Sequence, residues 1–377
     1  MNVELLTERA FAETIAANGG RVYRVGGCVR DKFMGVTPKD IDFCVVGMVR
    51  KNFKILFPDA EEYGKSFPVF RLLIDGLKCE VAFARTERKV GSGHKGFKVS
   101  SNPKVTIEED LLRRDTTVNS IAEDSLTGEI VDPFGGIRDI HDGILRATSR
   151  YFSDDALRAL RLAGQAARLG FKIDPDTLAL AASVVDELGD EPAERMLAEL
   201  AKVLTEAAEP ARFFKVLAEA DLLSATFAEI ADLSAEDFAK TMAALDSVAK
   251  VTSKPKLRFA ALGLGLDPQR LARWNDRMTL PRDWLAAAGS VGKTAALLKV
   301  VSPETVVAAV NSLRRGSLSV EEFDVVATAG GLNLPELGPL KAAMAYLPDS
   351  VAPQGLKGKD ISQWLSQKQA EVISKLL

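Results

Sequence analysis

The fold of this chain is indicated by two stretches near its start, RVYRVGGCVRD at residues 21–31 and KDIDFCVV at residues 39–46. The apolar and β-branched runs in them predict strands at Arg21–Val25 and Asp42–Val46. Between the runs, Gly26-Gly27 predicts a tight turn that leads into a short helix. This order of strand, glycine turn, helix and strand is typical of a sheet covered by helices.

The same reading extends to both sides of these stretches. Apolar residues recur at helical spacing over residues 5–15, and Gly19-Gly20 ends that helix. Residues 69–74 and 78–84 read as two more strands, and Asp75-Gly76 between them is a good hairpin turn. A mixed sheet with flanking helices is therefore expected over residues 1–146.

The pattern changes after Tyr151. Leucines recur at helical spacing, the second half is rich in Ala and Leu, and strand signals almost disappear. A length of 377 residues suits two or three domains. We therefore predict an α+β fold with a mixed-sheet head at residues 1–146, an all-α neck at residues 147–210 and an all-α body and tail at residues 211–377.

Composition excludes several classes of protein. Hydrophobic residues make up 47% and charged residues 27%, which is ordinary for a folded protein, and the net charge of -3 gives no global basic field. The three cysteines form no CxxC pair, and no apolar run approaches the ~18 residues that span a bilayer. We expect a cytoplasmic protein with no membrane partner. The exception to the charge balance is residues 85–104, with six basic residues and one acidic residue.

Candidate chemical groups lie in the opening stretches. Asp40 and Asp42 are two residues apart, so on a strand their side chains point to the same side and form a carboxylate pair that suits Mg²⁺. The alternative is that both are solubility residues at a strand edge. Upstream, Gly26-Gly27 permits close approach of a polyphosphate to the backbone, and Arg30 on the following helix adds a forked donor.

Six motifs in matching order resemble those of class II tRNA nucleotidyltransferases (CCA-adding enzymes) and bacterial poly(A) polymerases. They are GGCVRD at 26–31, KDID at 39–42, DLLRRDTTVN at 110–119, DPFGG at 132–136, DDALRALR at 154–161 and AARLGF at 166–171. A further stretch, EVAFARTERK at 80–89, resembles the enterobacterial type of CCA-adding enzyme.

The resemblance implies a nucleotidyltransferase head, a neck that reads the base, and a body and tail that bind tRNA. It implies Mg²⁺-dependent addition of C, C and A to the tRNA 3′ end from CTP and ATP, with release of pyrophosphate and with no DNA partner. The implied metal ligands are Asp40 and Asp42. Glu80, on the predicted strand at 78–84, is a candidate third catalytic carboxylate at the metal site, and the alternative is a residue on the exposed face of that strand. The implied nucleotide-binding residues are Gly26, Gly27, Arg30, Arg114, Asp155, Arg158 and Arg161. On a helix, Asp155 and Arg158 would share a face and pair with the edges of C and A.

Some positions depart from the family pattern. Gly164-Gln165 stands where the family commonly has a third neck arginine followed by Phe, and Thr116 replaces a large apolar residue. Relatives of the enterobacterial type carry a His-Asp phosphohydrolase site, but this sequence has only His94 and His141, so we predict no such activity. Two alternatives stay open: a poly(A) polymerase or A-only adding enzyme, and a catalytically silent RNA-binding protein.

Overall fold

The computed structural model describes residues 5–64, 68–91, 96–335, 337–345 and 358–375. His94 and part of the basic stretch at 85–104 lie outside these residues. The chain divides into two compact units, one formed by Met1–Ala166 with Gly170–Glu191, the other by Ala167–Leu169 with Pro192–Leu377. No helix within the described ranges is both long and apolar enough to cross a membrane.

All strands of the described residues belong to the first unit, and they form one large sheet and two small pairs. They are β1 (Arg21–Val25), β2 (Asp42–Val46), β3 (Glu61–Tyr63), β4 (Val69–Ile74), β5 (Leu77–Phe83), β6 (Thr86–Lys89), β7 (Phe97–Ser100), β8 (Ala122–Asp124), β9 (Ile130–Val131), β10 (Ile144–Leu145) and β11 (Lys172–Ile173). The helices in the same part of the chain are α1 (Glu8–Ala17), α2 (Gly27–Phe33), α3 (Arg50–Leu56), α4 (Ile107–Leu112), α5 (Gly136–Asp142), α6 (Leu157–Leu169), α7 (Pro175–Ala182) and α8 (Val185–Gly189).

The large sheet has the strand order β3-β4-β5-β2-β1-β8-β9. Strands β2 and β5 pair in parallel, whereas the other neighbours pair antiparallel. The predicted mixed sheet is thereby confirmed, and β1, β2 and β4 have the predicted bounds. The hairpin at Asp75-Gly76 is also confirmed, since Ile74 pairs with Leu77 across it.

The two faces of the sheet are covered differently. One face packs its apolar side chains, among them Phe43 and Phe70, against Phe11 of α1 and Phe53 of α3. The opposite face packs against Leu111 of α4 and the residues around it. Alternation of side chains along a strand sends Asp42 to this second face, because its neighbour Phe43 enters the first core.

The second unit is helical throughout its described residues. Its helices are α9 (Ala193–Glu206), α10 (Ala211–Glu219), α11 (Leu223–Thr226), α12 (Ala228–Ala231), α13 (Ala235–Val251), α14 (Pro255–Leu262), α15 (Pro268–Met278), α16 (Arg282–Leu297), α17 (Pro303–Arg315), α18 (Val320–Ala329), α19 (Gly338–Ala345) and α20 (Lys359–Ile373). A core shared by α14, α16, α17 and α18 includes Val291, Val310 and Phe323. The predicted change from sheet to helices is confirmed, with the two-residue strand β11 as a small exception.

Candidate active site

A glycine turn joins β1 to α2 at one edge of the site. Gly26 has φ 76° and ψ -129°, a conformation that favours glycine. A Cβ atom on Gly26 would lie 2.9 Å from Nη1 of Arg114, so a side chain at this position would displace that guanidinium. The sequence-predicted Gly26, Gly27 and Arg114 are therefore close neighbours in the structure.

Arg30 lies in the first turn of α2, as predicted. Its Nη1 donates to Oδ1 of Asn119 at 2.7 Å, and its Nε and Nη2 donate to Oδ1 of Asp31 at 3.0 and 2.6 Å. Asn119 belongs to the same motif as Arg114. These bonds hold the guanidinium beside the glycine turn.

The predicted carboxylates lie at the start of β2. Asp42 is the first residue of the strand, and in the parallel pairing with β5 it lies opposite Glu80. The prediction that Asp40 also lies on the strand is wrong, because Asp40 occupies a bend that precedes it. The argument from strand alternation therefore applies to Asp42 and Glu80 and not to Asp40. Residues in register on parallel strands share a face, so Asp42 and Glu80 do so.

The electrostatics of Asp42 are unfavourable for its own negative charge. Asp42 is solvent-accessible, yet nearby protein atoms displace part of the water around its carboxyl, and this raises the pKa. The charges of Glu80 and Asp40 raise the pKa further, whereas Arg114 acts in the opposite direction. A bound cation would relieve this repulsion.

A metal site here would rest on few protein ligands. Among the described residues, no group of three or more His, Cys, Asp or Glu side chains is arranged to hold a metal ion. Two neighbouring carboxylates nevertheless suit Mg²⁺, which is usually held by one or two carboxylates together with waters and substrate phosphates. Glu80 has other partners, since Nη2 of Arg71 lies 3.7 Å from its Oε1. Burial and Glu80 also raise the pKa of Tyr63 to about 12.

Asp110 organises the arginine pair of the DLLRRDTTVN motif. This carboxylate is fully buried and accepts from Nη2 of Arg113 at 2.6 Å and from Nη2 of Arg114 at 3.0 Å. The backbone N–H of Arg85 donates to it as well. Burial alone would raise the pKa of Asp110, but the charges of Arg113 and Arg114 outweigh burial and hold the pKa below its ordinary value.

Glu87 is a site residue that the sequence reasoning missed. It lies on β6, which pairs antiparallel with β7, so the described part of the basic stretch contains two paired strands. Oε1 of Glu87 accepts from Nε of Arg85 at 2.9 Å and from Nη1 of Arg113 at 3.1 Å. Nη2 of Arg158 lies 3.8 Å from its Oε2. A sequence signal for this role existed, because Glu87 is the single acidic residue of the basic stretch. The three arginines that surround it require a negative charge nearby.

Arg158 is buried, with 6% of its surface exposed. Its Nη1 donates to the carbonyl of Tyr151 at 2.5 Å and its Nη2 to the carbonyl of Arg113 at 2.6 Å. Burial lowers the pKa of Arg158, and the charge of Asp155 opposes this effect. The prediction that Asp155 and Arg158 share a helix face is wrong, because Asp155 has extended backbone angles and α6 begins only at Leu157.

Arg161, on α6, reaches the same motif from another side. Its Nη2 lies 3.0 Å from Oδ2 of Asp115, a buried carboxylate. Asp115 also accepts from the amide of Asn119 at 3.3 Å. Burial by itself would raise the pKa of Asp115, but Arg161 and the hydrogen bonds from Thr116 and Asn119 outweigh it and lower the pKa. Asp115 and Asn119 thus link Arg161 to Arg30.

Comparison with known proteins agrees with this geometry. The family described as "Poly A polymerase head domain" matches residues 22–146, and the one described as "Probable RNA and SrmB- binding site of polymerase A" matches residues 170–233. A relative from Nitrosococcus oceani, a multifunctional CCA protein, is 35% identical over 403 residues, which cover 93% of this chain and 97% of the relative. The chain therefore belongs to the nucleotidyltransferase family that contains the poly(A) polymerase head domain.

Further relatives point to one branch of that family. The CCA-adding enzyme of Pseudomonas putida is 40% identical over 267 residues, which cover 70% of each chain. A solved structure of the Bacillus stearothermophilus CCA-adding enzyme in complex with CTP is 25% identical, with a TM-score of 0.70 over 96% of this chain and 90% of that chain. The Thermotoga maritima CCA-adding enzyme complexed with tRNA shares the fold at 23% identity, with a TM-score of 0.68 over 97% of this chain and 90% of that chain.

Proposed function

We propose that this protein is a CCA-adding tRNA nucleotidyltransferase. In the proposed reaction, the 3′-hydroxyl of a tRNA attacks the α-phosphate of CTP or ATP, pyrophosphate leaves, and the tRNA gains C, C and then A. The observation that carries the proposal is the similarity to a multifunctional CCA protein over nearly the whole length of both chains. Because the reaction consumes tRNA, we place the enzyme in the cytoplasm.

The proposed roles of the chain's residues follow from their surroundings. Asp40 and Asp42 would hold Mg²⁺, which when bound favours deprotonation of the attacking hydroxyl and neutralises charge on the leaving pyrophosphate. Gly26 lets the triphosphate approach the backbone beside Arg114. The hydrogen bond from Arg114 to Asp110 holds this arginine in position before the nucleotide binds. Arg30 supplies a second cation to the triphosphate.

Recognition of the base is assigned to Asp155 and Arg158, with Arg161 as a third nucleotide-binding residue. An acceptor and a forked donor together match the donor and acceptor edges of C and A, so side chains take the role of a template. We assign these residues to a neck at 147–210, catalysis to a head at 1–146, and tRNA binding to a body and tail at 211–377. No phosphohydrolase activity is proposed.

A poly(A) polymerase is the second candidate, because the matching family is described as a poly(A) polymerase head domain. The silent RNA-binding protein is less well supported. The raised pKa of Asp42 means that its charge is unfavourable in the folded protein. A silent protein that binds no cation would have no use for the unfavourable negative charge of Asp42, so this charge favours an enzyme that binds Mg²⁺.

The test offers a tRNA lacking its 3′ end, with Mg²⁺ and with each triphosphate separately and together, and sequences the products. We expect two C and then one A. Long A tracts from ATP alone would instead indicate the polymerase, and tight RNA binding without incorporation would indicate the silent protein. Asp40→Ala should abolish incorporation. The matched control is Asp59→Ala, an exposed turn residue of the same unit, which should retain full activity.

A further inference from the structure

Two of the positions at which this chain departs from the family pattern meet inside the first unit. Thr116 is fully buried and Gln165 is 2% exposed. The hydroxyl of Thr116 donates to Oε1 of Gln165 at 2.8 Å, although the two residues are 49 positions apart. Burying the polar groups of Thr116 and Gln165 removes them from water, which costs free energy unless each group has a hydrogen-bond partner in the protein.

The remaining polar atoms of the pair are used on one carboxylate. Nε2 of Gln165 donates to Oδ2 of Asp115 at 3.0 Å, and the backbone N–H of Thr116 donates to Oδ1 of Asp115 at 2.8 Å. An ionised carboxylate only accepts hydrogen bonds, so the amide nitrogen of Gln165 must face Asp115. The amide oxygen is then left for the Thr116 hydroxyl, which fixes the orientation of the glutamine.

Asp115 in turn links two cations of the candidate active site. Within the described part of the chain its carboxylate has four polar contacts, with Thr116 N, Asn119 Nδ2, Gln165 Nε2 and Arg161 Nη2. A carboxylate offers about four lone-pair sites, so this one is saturated. Because the amide nitrogen of Asn119 is bound to Asp115, its Oδ1 is free to accept from Arg30.

We infer that Gln165, oriented by Thr116, is a positioning residue for the nucleotide: it fixes Asp115 and thereby Arg161 and, through Asn119, Arg30. The inference rests on the proposed function, in which both arginines bind the triphosphate substrate. Because Gln165 is buried, it acts through Asp115 and not by direct contact with the substrate. It supplies one of the four donors that hold the carboxylate between the two cations.

The test measures CTP binding by titration calorimetry in the absence of tRNA. Gln165→Met keeps the length and volume of the side chain and removes both amide groups. We expect the Kd for CTP to rise about ten-fold, or about 1.4 kcal/mol, as for the loss of one hydrogen bond to a charged group. In the incorporation assay the KM for CTP and ATP should rise similarly, with kcat changed less than about two-fold.

A double-mutant cycle separates positioning from general damage. In an Arg161→Ala background Asp115 positions only Arg30, through Asn119, so Gln165→Met should change the Kd by less than about three-fold. Gln369→Met is the matched control, since Gln369 is a fully buried glutamine in α20 of the second unit. It should leave the Kd for CTP unchanged.

Thr116 provides a second pair of variants if Gln165→Met fails to fold. Thr116→Val removes only the hydroxyl and should raise the Kd about three-fold, while Thr116→Ser keeps the hydroxyl and should restore it. An unchanged Kd in folded Gln165→Met, or the same loss with and without Arg161, would overturn the inference. Failure of the proposed function would be seen separately, as a wild-type protein that adds no C, C and A to tRNA.

Discussion

Asp42 and Asp110 lie on the same side of the sheet, and the charge of Arg114 lowers the pKa of both carboxyl groups. Their other neighbours shift the two pKa values in opposite directions. Asp110 is buried and receives hydrogen bonds from two arginines and one backbone N–H, which lower its pKa. Asp42 is accessible, faces Glu80 and Asp40, and has a raised pKa. One carboxylate is satisfied by the protein, and the other is left in need of a cation.

The two aspartates therefore have different roles, although the sequence alone does not distinguish a structural aspartate from a ligand-binding one. Asp110 stabilises the folded chain and fixes the arginines, so its charge contributes to stability. The charge of Asp42 is unfavourable for folding, and this is typical of a group whose partner is a ligand. Substituting each aspartate by its neutral isostere tests this comparison directly.

The largest effect is expected for Asp42→Asn on activity. Losing a metal-holding carboxylate removes about 4 kcal/mol of transition-state stabilisation, or about 10³-fold in incorporation rate. The free energy of unfolding should stay unchanged or rise slightly at pH 7, because the folded-state pKa of Asp42 is raised and its ionised form is disfavoured. Primer extension and urea denaturation measure the two quantities. Incorporation at the wild-type rate would remove Asp42 from the metal site.

Asp110→Asn should show the reverse balance. Breaking a buried ion pair leaves two arginines without their carboxylate, and we expect about 3 kcal/mol less unfolding free energy at pH 7. The folded-state pKa of Asp110 lies below 3.8, so this contribution is present at higher pH and is lost as the pH falls through the folded value. The difference between wild type and variant should therefore shrink below about pH 4.

Asp59→Asn, in an exposed turn, is the control for this measurement and should change the unfolding free energy by less than about 0.5 kcal/mol. If Asp110→Asn unfolded at the same urea concentration as wild type, the hydrogen bonds to Arg113 and Arg114 would have no net stabilising value. The distinction between the two aspartates would then fail.

An intermediate effect is expected for Arg158→Ala on base choice. The loss of a charge-assisted contact costs about 1.5 to 3 kcal/mol, or roughly ten- to hundred-fold, and it should fall on CTP and ATP more than on UTP and GTP. Arg158 also donates to two backbone carbonyls, so the variant will fold less well. The ratio of incorporation rates among the four triphosphates is independent of the folded fraction, and it is the quantity to measure.

Arg30→Ala is the comparison for this experiment, because Arg30 would contact only the triphosphate. It should slow all four nucleotides alike. Unchanged selectivity in Arg158→Ala would leave Arg158 as a support for the backbone at Tyr151 and Arg113.

The parts of the fold that were predicted correctly depend on local signals. The strand at Arg21–Val25, the turn at Gly26 and the hairpin at Asp75-Gly76 follow from apolar runs and from glycine conformations, which act within a few residues. The roles proposed for the site residues came from the family resemblance and stay predictions, whereas the proximity of Gly26, Arg30 and Arg114 is now a structural fact.

The missed features depend on contacts between distant parts of the chain. Strand β6 consists of polar and charged residues, so no apolar alternation marks it in the sequence. The role of Glu87 depends on contacts with Arg113 and Arg158, which are distant in the sequence. Asp155 is extended because the chain leaves a short 3₁₀ helix at Arg150–Asp154 before α6 begins, whereas the spacing of Asp155 and Arg158 had predicted that both lie on one helix. In the sequence, Thr116 and Gln165 are two separate departures from the family pattern, and only the structure shows that they form a hydrogen bond.

The smallest effect is expected at Glu80, which lies between Asp42 on one neighbouring strand and Arg71 on the other. Its charge raises the pKa of Asp42, so Glu80→Gln should lower that pKa. The acid limb of the pH–rate profile should then move to lower pH by less than about one unit, with the plateau rate within about two-fold of wild type. A fall of about 10²-fold in the plateau, together with a higher requirement for Mg²⁺, would instead make Glu80 the third metal ligand that the sequence predicted. Because Arg71 already pairs with Glu80, we expect the smaller effect.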